Sequence, residues 1–180
     1  MVYVMLADGF EEIEALTVVD VLRRANIKTN TVSIGTDRTV TGSHNIPVIA
    51  DLLISEADLE AADMVVLPGG MPGSVNLDKN TVLEKAIENR VSQKKWMAAI
   101  CAAPFILGKR GYLEGKEAIC YPGFEKELVG AIIKNEKVVI SDNFITSKGP
   151  GTALDFALAI VSVLRDKKTA DTLRAGMQAV

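Results

Sequence analysis

Cys101 stands in the stretch Ala99-Ile100-Cys101-Ala102-Ala103-Pro104, where an apolar run meets a helix-forming one. That pattern has the logic of a nucleophile elbow, in which a strand turns abruptly into a helix and pushes one side chain outward. Such a turn needs small residues two before and two after the nucleophile, and Ala99 and Ala103 supply them. Pro104 suits a first helical turn, where no N–H partner is required. A thiol so placed sits near a helix N-terminus, whose partial positive charge favours the thiolate. The competing reading is a structural cysteine packed between strand and helix.

Three other groups have the chemistry to serve that thiol. Gly69-Gly70 follows the apolar run Met64-Val65-Val66-Leu67 and Pro68. Its backbone N–H groups, with that of Ala102, would make an oxyanion pocket. Taken alone, the pair also fits a plain glycine turn. Glu11, Glu12 and Glu14 open the first helical segment, where carboxylates commonly just complement the helix dipole. One of them can instead face Cys101, hold the sulfur ionised and shuttle a proton. Spacing does not choose among the three.

Much chemistry is excluded. His44 is the single histidine, so a Cys-His-acid triad would have to recruit it from an edge excursion. A surface or dimer-contact histidine is the better reading. Cys101 and Cys120 are the only cysteines and have no short spacing, which argues against a zinc site or a disulfide framework. Cys120, before Tyr121-Pro122, reads as a packed thiol bordering the pocket at most. No Walker A loop or G-x-G-x-x-G precedes a helix, so nucleotide binding has no support. A net charge of −3 with scattered Lys and Arg gives no footprint for nucleic acid.

Around these residues the chain alternates apolar strands with helices. Its 180 residues suffice for one domain, with no repeat or linker to divide it. Strands are predicted at Val2–Leu6, Lys28–Ile34, Met64–Leu67, Trp96–Ile100 and Phe144–Thr146. Helices are predicted at Glu11–Ala25, with Ile13, Leu16, Val19 and Leu22 on one face, and at Asn80–Gln93 and Ala102–Arg110. Thr152–Leu164 is a buried helix opened by a Thr152/Asp155 capping box, and a last helix begins near Thr169. Thr39–Asp51 reads as a hairpin turned at Gly42, and Lys116–Thr146 as short strands with one short helix near Glu125–Leu128. The class is α/β, with a mostly parallel sheet covered on both faces. Ligands then sit beyond the carboxyl ends of the strands. Asp8–Glu14, Pro68–Gly70, Cys101–Ala103 and Ser147–Thr152 all follow strands and are expected to line one edge. Val2–Leu6 is too short and lacks the basic lead of a signal peptide, and no run is long enough to span a membrane. The expected compartment is the cytoplasm, where thiols stay reduced.

Asp8-Gly9-Phe10-Glu11-Glu12-Ile13-Glu14, Leu67-Pro68-Gly69-Gly70, Ala98-Ala99-Ile100-Cys101-Ala102-Ala103-Pro104 and Thr146-Ser147-Lys148-Gly149-Pro150-Gly151-Thr152 together resemble the ThiJ/PfpI superfamily. The branch they resemble is that of the Parkinsonism-associated protein deglycase and its bacterial relatives. The resemblance covers essentially the whole chain, residues 1–180, as one domain. It implies a flavodoxin-like three-layer sandwich and a homodimer with the first helix, including Arg24, near the contact. It implies that Cys101 is the reactive, oxidisable thiol, that Glu14 is the carboxyl group facing it, and that Gly69, Gly70 and Ala102 form the oxyanion pocket. Some relatives carry a pocket histidine where this chain has Tyr121, a poor base near neutral pH. The peptidase-like branch has a histidine directly after the cysteine; here that residue is Ala102, which argues against peptidase activity.

Two functions follow from the resemblance. One is a glyoxalase or deglycase in which Cys101 adds to a small reactive aldehyde or glycated substrate and Glu14 moves protons, with no cofactor and no metal. The other is a redox-sensing stress protein or chaperone whose thiol records oxidation. Both want the same thiolate. Side chains such as Phe124 and Asn143 are left unplaced as pocket walls.

Overall fold

Val2–Leu6, apolar at every position, forms β1, an interior strand of the sheet. The computed structural model describes residues 1–179. After β1 come α1 (Glu12–Arg24), β2 (Thr29–Ser33), β3 (Thr39–Thr41), β4 (Pro47–Ile49), β5 (Leu52–Leu53) and β6 (Met64–Leu67). Then follow α2 (Gly73–Lys79), α3 (Thr81–Ser92), β7 (Trp96–Ile100), α4 (Pro104–Gly108), β8 (Glu117–Ala118) and β9 (Ile132–Ile133). The chain ends with β10 (Val138–Ser141), β11 (Phe144–Ser147), α5 (Ala153–Leu164) and α6 (Lys167–Gly176).

Seven strands form the main sheet in the order β10-β11-β7-β6-β1-β2-β5. Every pair is parallel except β10–β11, which is antiparallel. A parallel sheet must bury both faces, and the strand sequences alternate accordingly. Val2, Val4 and Leu6 of β1 point to one side, where Val18, Leu22, Phe156 and Ile160 of α1 and α5 cover them. Tyr3 and Met5 point to the other, where Leu77, Leu83, Ile87 and Ile106 of α2, α3 and α4 cover them. Each fully buried aliphatic side chain contributes about 1.5–3 kcal/mol. The architecture is the expected three-layer, flavodoxin-like sandwich. No helix among the described residues is long and apolar enough to cross a membrane.

Three local expectations are corrected. In α1, Ile13 is 54% exposed and Leu16 37%, while Ala15, Val18, Val19 and Leu22 are buried. A strict three-residue spacing drifts around a 3.6-residue helix, so Ile13 and Leu22 end about 180° apart. At α5 there is no Thr152/Asp155 capping box. The Thr152 hydroxyl instead donates to Gly149 O at 2.8 Å and lies 2.7 Å from Ser147 Oγ. Asp155 is drawn away by Arg174 and Lys137. Finally, the helix predicted from Asn80 is present as α3, but a further one, α2, stands before it, and Asn80 divides the two. It ends α2 and caps α3, its Oδ1 accepting from Leu83 N–H at 2.9 Å.

Candidate active site at the sheet edge

The four segments expected at one edge follow β1, β6, β7 and β11, which are consecutive in the sheet. Their ends are tied by backbone hydrogen bonds. Glu11 N–H donates to Gly69 O at 3.0 Å, and Cys101 N–H donates to Ser147 O at 2.9 Å. The carboxyl ends of four parallel strands thus deliver Glu14, Gly69-Gly70, Cys101 and Ser147 to one place.

Cys101 adopts φ = 64°, the left-handed region that a residue with a Cβ avoids. The strain costs about 1–2 kcal/mol and is held by bonds on both sides of the residue. Besides Cys101 N–H to Ser147, the Cys101 carbonyl accepts from Tyr121 N–H at 2.7 Å. This is the elbow the small flanking residues predict. Its helix, however, starts only at Pro104 and runs five residues, so little helix dipole reaches the sulfur.

What reaches the sulfur are individual N–H groups. Those of Ala102 and Gly70 donate toward Sγ and favour the thiolate. Gly70 has φ = +89°, and a Cβ there would strike the Glu11 nitrogen and the Gly9 carbonyl oxygen. Only glycine lets this N–H turn inward. Gly69 has a different job from the one expected of it. Its N–H is spent on Glu14 Oε2, at 2.7 Å. A Cβ at Gly69 would lie 2.5 Å from that oxygen and 2.6 Å from the Cys101 Cβ, so bare backbone is required between acid and thiol.

Glu14 is fully buried. With Oε2 clamped by Gly69, Oε1 has no N–H or O–H partner among the described residues and is left to face the thiol. Burial pushes the Glu14 carboxyl up to about 7; the thiol contact and the Gly69 N–H oppose this, and the charge of Glu11 adds to it. Burial also pushes the Cys101 thiol up, to about 12, with the Glu14 charge as the next cause. The acidified thiol expected from a helix N-terminus is therefore corrected: burial and a facing carboxylate outweigh two N–H groups. The two sites share their protons, however. With a proton on Glu14 the second upward cause disappears, while both N–H groups remain.

Glu11 and Glu12 turn the other way, toward the β3–β4 hairpin. His44 N–H donates to Glu12 Oε1 and His44 Nδ1 lies against Glu12 Oε2, both at 2.8 Å. Burial pushes Glu12 up, but hydrogen bonds led by His44 win and hold it near 2. Ligand-type atoms of Glu11, Glu12 and His44 all lie within 4.8 Å of one another. Both Glu12 oxygens are already occupied by His44 and Ser43, and a helix N-terminus repels cations, so the set is a hydrogen-bonded network. Sequence spacing did not reveal that His44 reaches α1. The one local signal is Gly42, where a Cβ would overlap the Glu12 side chain.

The remaining candidates are placed as follows. Tyr121 touches the site through its backbone; its ring is 46% exposed and lies beside Gly149. Phe124 packs on Phe105, ring centroids 6.2 Å apart. Asn143 lies at the opposite end of the sheet, its Nδ2 donating to Lys95 O at 2.8 Å, and borders a different cavity with Tyr112 and Lys116. Cys120 is buried, pushed up to about 12 by burial and then Glu125, and borders a separate cavity of about 330 Å³ with Pro122, Glu125, Lys134 and Lys148.

Known proteins resemble this chain over most of its length. Residues 1–163 match the model of the DJ-1/PfpI family. Protein DJ-1 homolog B of Arabidopsis thaliana is 36% identical over 161 residues, covering 89% of this chain; the chain spans only 37% of that longer relative. The glutathione-independent glyoxalase DJR-1.2 of Caenorhabditis elegans is 31% identical, covering 91% of this chain and 87% of its own. Among solved structures, oxidized Toxoplasma gondii DJ-1 superposes with a TM-score of 0.94 at 35% identity, covering 98% of this chain and 97% of that one. With a strained elbow thiol, a clamped carboxyl group and these relatives in hand, the chain belongs to the DJ-1/PfpI family.

Proposed function

We propose that this protein is a cofactor-independent, cysteine-dependent enzyme acting on small reactive carbonyls. The observation that carries the reading is the Glu14 carboxyl group: fully buried, anchored through one oxygen by Gly69, with the other free toward Cys101. A carboxyl group near pKa 7 gives and takes protons at neutral pH with little driving force in either direction, which suits a shuttle.

With methylglyoxal the steps balance as follows. The Cys101 sulfur bonds to the aldehyde carbon, and the carbonyl oxygen takes up the thiol proton, giving a hemithioacetal. The N–H groups of Gly70 and Ala102 stabilise negative charge on that oxygen as it develops. Ionised Glu14 removes the hydrogen from the former aldehyde carbon and returns a proton to the neighbouring carbon, while the hydroxyl proton on the first carbon's oxygen passes to the oxygen of the second. The product is a thioester, which water hydrolyses to lactate and free thiol. Attack on the aldehyde of an early glycation adduct would make the same site a deglycase. The C. elegans relative's name as a glutathione-independent glyoxalase supports the first form. The test is lactate formation from methylglyoxal by purified protein without glutathione. Lactate no faster than in the buffer control would overturn the reading.

One observation favours a second reading, redox sensing. The N–H groups that favour a thiolate would also stabilise a sulfinate, and a Toxoplasma relative is described as oxidized. The two unpaired thiols suit a reducing compartment such as the cytoplasm. We place a homodimer contact on the α1 side, where Ile13 and Leu16 leave apolar surface exposed.

A further inference from the structure

Cys120 borders a cavity of about 330 Å³ that the thiol site does not use. Its volume is at the small end for a ligand pocket, about 300–1,000 Å³. Three stretches of chain frame it: residues 119–125, residues 133–135 and Lys148. Backbone N–H groups tie them down. Ile119 N–H donates to Thr146 Oγ1 at 3.0 Å, Lys134 N–H to Ala118 O at 2.9 Å and Lys148 N–H to Lys137 O at 3.2 Å. The frame is thus set by the backbone, which leaves the side chains that line it to meet a ligand.

The wall is apolar in part. Ile119 and Cys120 are buried, while Ile133 keeps 42% of its surface exposed. Burial and then Glu125 push the Cys120 thiol up to about 12, so it stays neutral and packs as a small hydrophobe. Three charged side chains complete the lining: Glu125, Lys134 and Lys148. Lys134 is already paired, its Nζ 3.0 Å from Glu117 Oε1. Lys148 and Glu125 have only neutral hydrogen-bond partners among the described residues. Lys148 Nζ donates to Asn135 Oδ1 at 3.2 Å, and Glu125 Oε2 accepts from Gly123 N–H at 2.8 Å.

One uncompensated cation and one uncompensated anion therefore share a small, partly apolar cavity. A ligand with a single charge pairs with one of them and meets the like charge of the other. A ligand with both charges pairs with both, and charge-assisted hydrogen bonds are the stronger kind. An apolar stem on that ligand covers Ile133 and removes it from water. We propose that this cavity is a binding site for a small apolar amino acid, its carboxylate on Lys148, its ammonium group on Glu125 and its side chain against Ile119 and Ile133. The site stands apart from the Cys101 chemistry and does not depend on what that thiol does.

The test is a ligand titration of the whole chain, followed by its backbone amide signals in heteronuclear NMR. The probes are L-leucine, isocaproate, which is leucine without the ammonium group, and isoamylamine, which is leucine without the carboxylate. Leucine should bind with a Kd on the order of 1–10 mM, as expected of so small a ligand, and move the Cys120, Glu125 and Lys148 amides together. Each singly charged analogue should bind at least about tenfold more weakly. Lys148→Met and Glu125→Gln should each weaken leucine by about tenfold. No saturable shift up to about 50 mM leucine overturns the proposal. Equal binding of either analogue overturns it too, because the second charge would then count for nothing. So does a shift pattern centred on Gly70 and Ala102, which would put leucine at the thiol site instead. If a variant fails to fold, the three probes on the wild-type chain still decide.

Discussion

The molecule contains two thiols that look alike by burial and differ in everything around them. Cys101 and Cys120 are both buried, and burial pushes each up to about 12. Around Cys120 the further influence is Glu125, which pushes the same way. Around Cys101, two N–H groups oppose burial, a strained backbone aims the side chain, and the facing carboxyl group can itself take a proton. Removing the proton from Cys120 thus leaves an unsupported buried charge. Removing it from Cys101 leaves one that two donors and a neutral Glu14 accept. We propose that what distinguishes the two thiols is what receives the charge after the proton leaves, not how exposed each one is.

The sharpest way to break that contrast is substitution of each thiol in turn. Cys101→Ala should lower lactate formation from methylglyoxal by at least about 10³-fold, while Cys120→Ala stays within about threefold of wild type. Comparable losses from both variants would erase the distinction. The next effect concerns Glu14 and stability. Its folded-state pKa of about 7 lies above the ordinary 4.5, so its contribution is fully present below pH 4.5 and lost as pH rises through about 7. Glu14→Gln cannot ionise but keeps an oxygen for the Gly69 N–H. Relative to wild type it should gain stability between pH 5 and 8.5, by up to roughly 3 kcal/mol in urea unfolding. A pH-independent difference would mean Glu14 titrates normally. The smallest effect is selectivity toward mild peroxide. Mass spectrometry should find Cys101 carrying two added oxygens several-fold ahead of Cys120. Equal oxidation of the two would end the sensor reading.

Much of this was legible before folding because strands and elbows leave short-range marks. Met64–Leu67 and Trp96–Ile100 are bounded where their apolar runs end, and Ala99, Ala103 and Pro104 mark the turn at Cys101. The role of each group at the sheet edge was less legible, because it depends on which atom each hydrogen bond consumes. Two adjacent glycines read as equal donors, yet Gly69 holds the acid and Gly70 the sulfur. Three glutamates in four residues read alike until the hairpin claims Glu11 and Glu12. The choice of Glu14 came from family resemblance, not from spacing. The hairpin contact itself joins residues more than 30 positions apart and leaves no periodic trace.

The bond from Cys101 N–H to Ser147 O has a consequence for synthesis. Glu14 is translated early, the thiol much later, and the strand that pins the elbow later still. A nascent chain that has already exposed Cys101 lacks β11 on one side of β7, and one of the two bonds that hold φ at its unfavourable value is missing. Until that last sheet partner is in place, the elbow is only partly pinned. Full pinning of the elbow therefore arrives only with closure of the sheet, after the acid and both donors have been made.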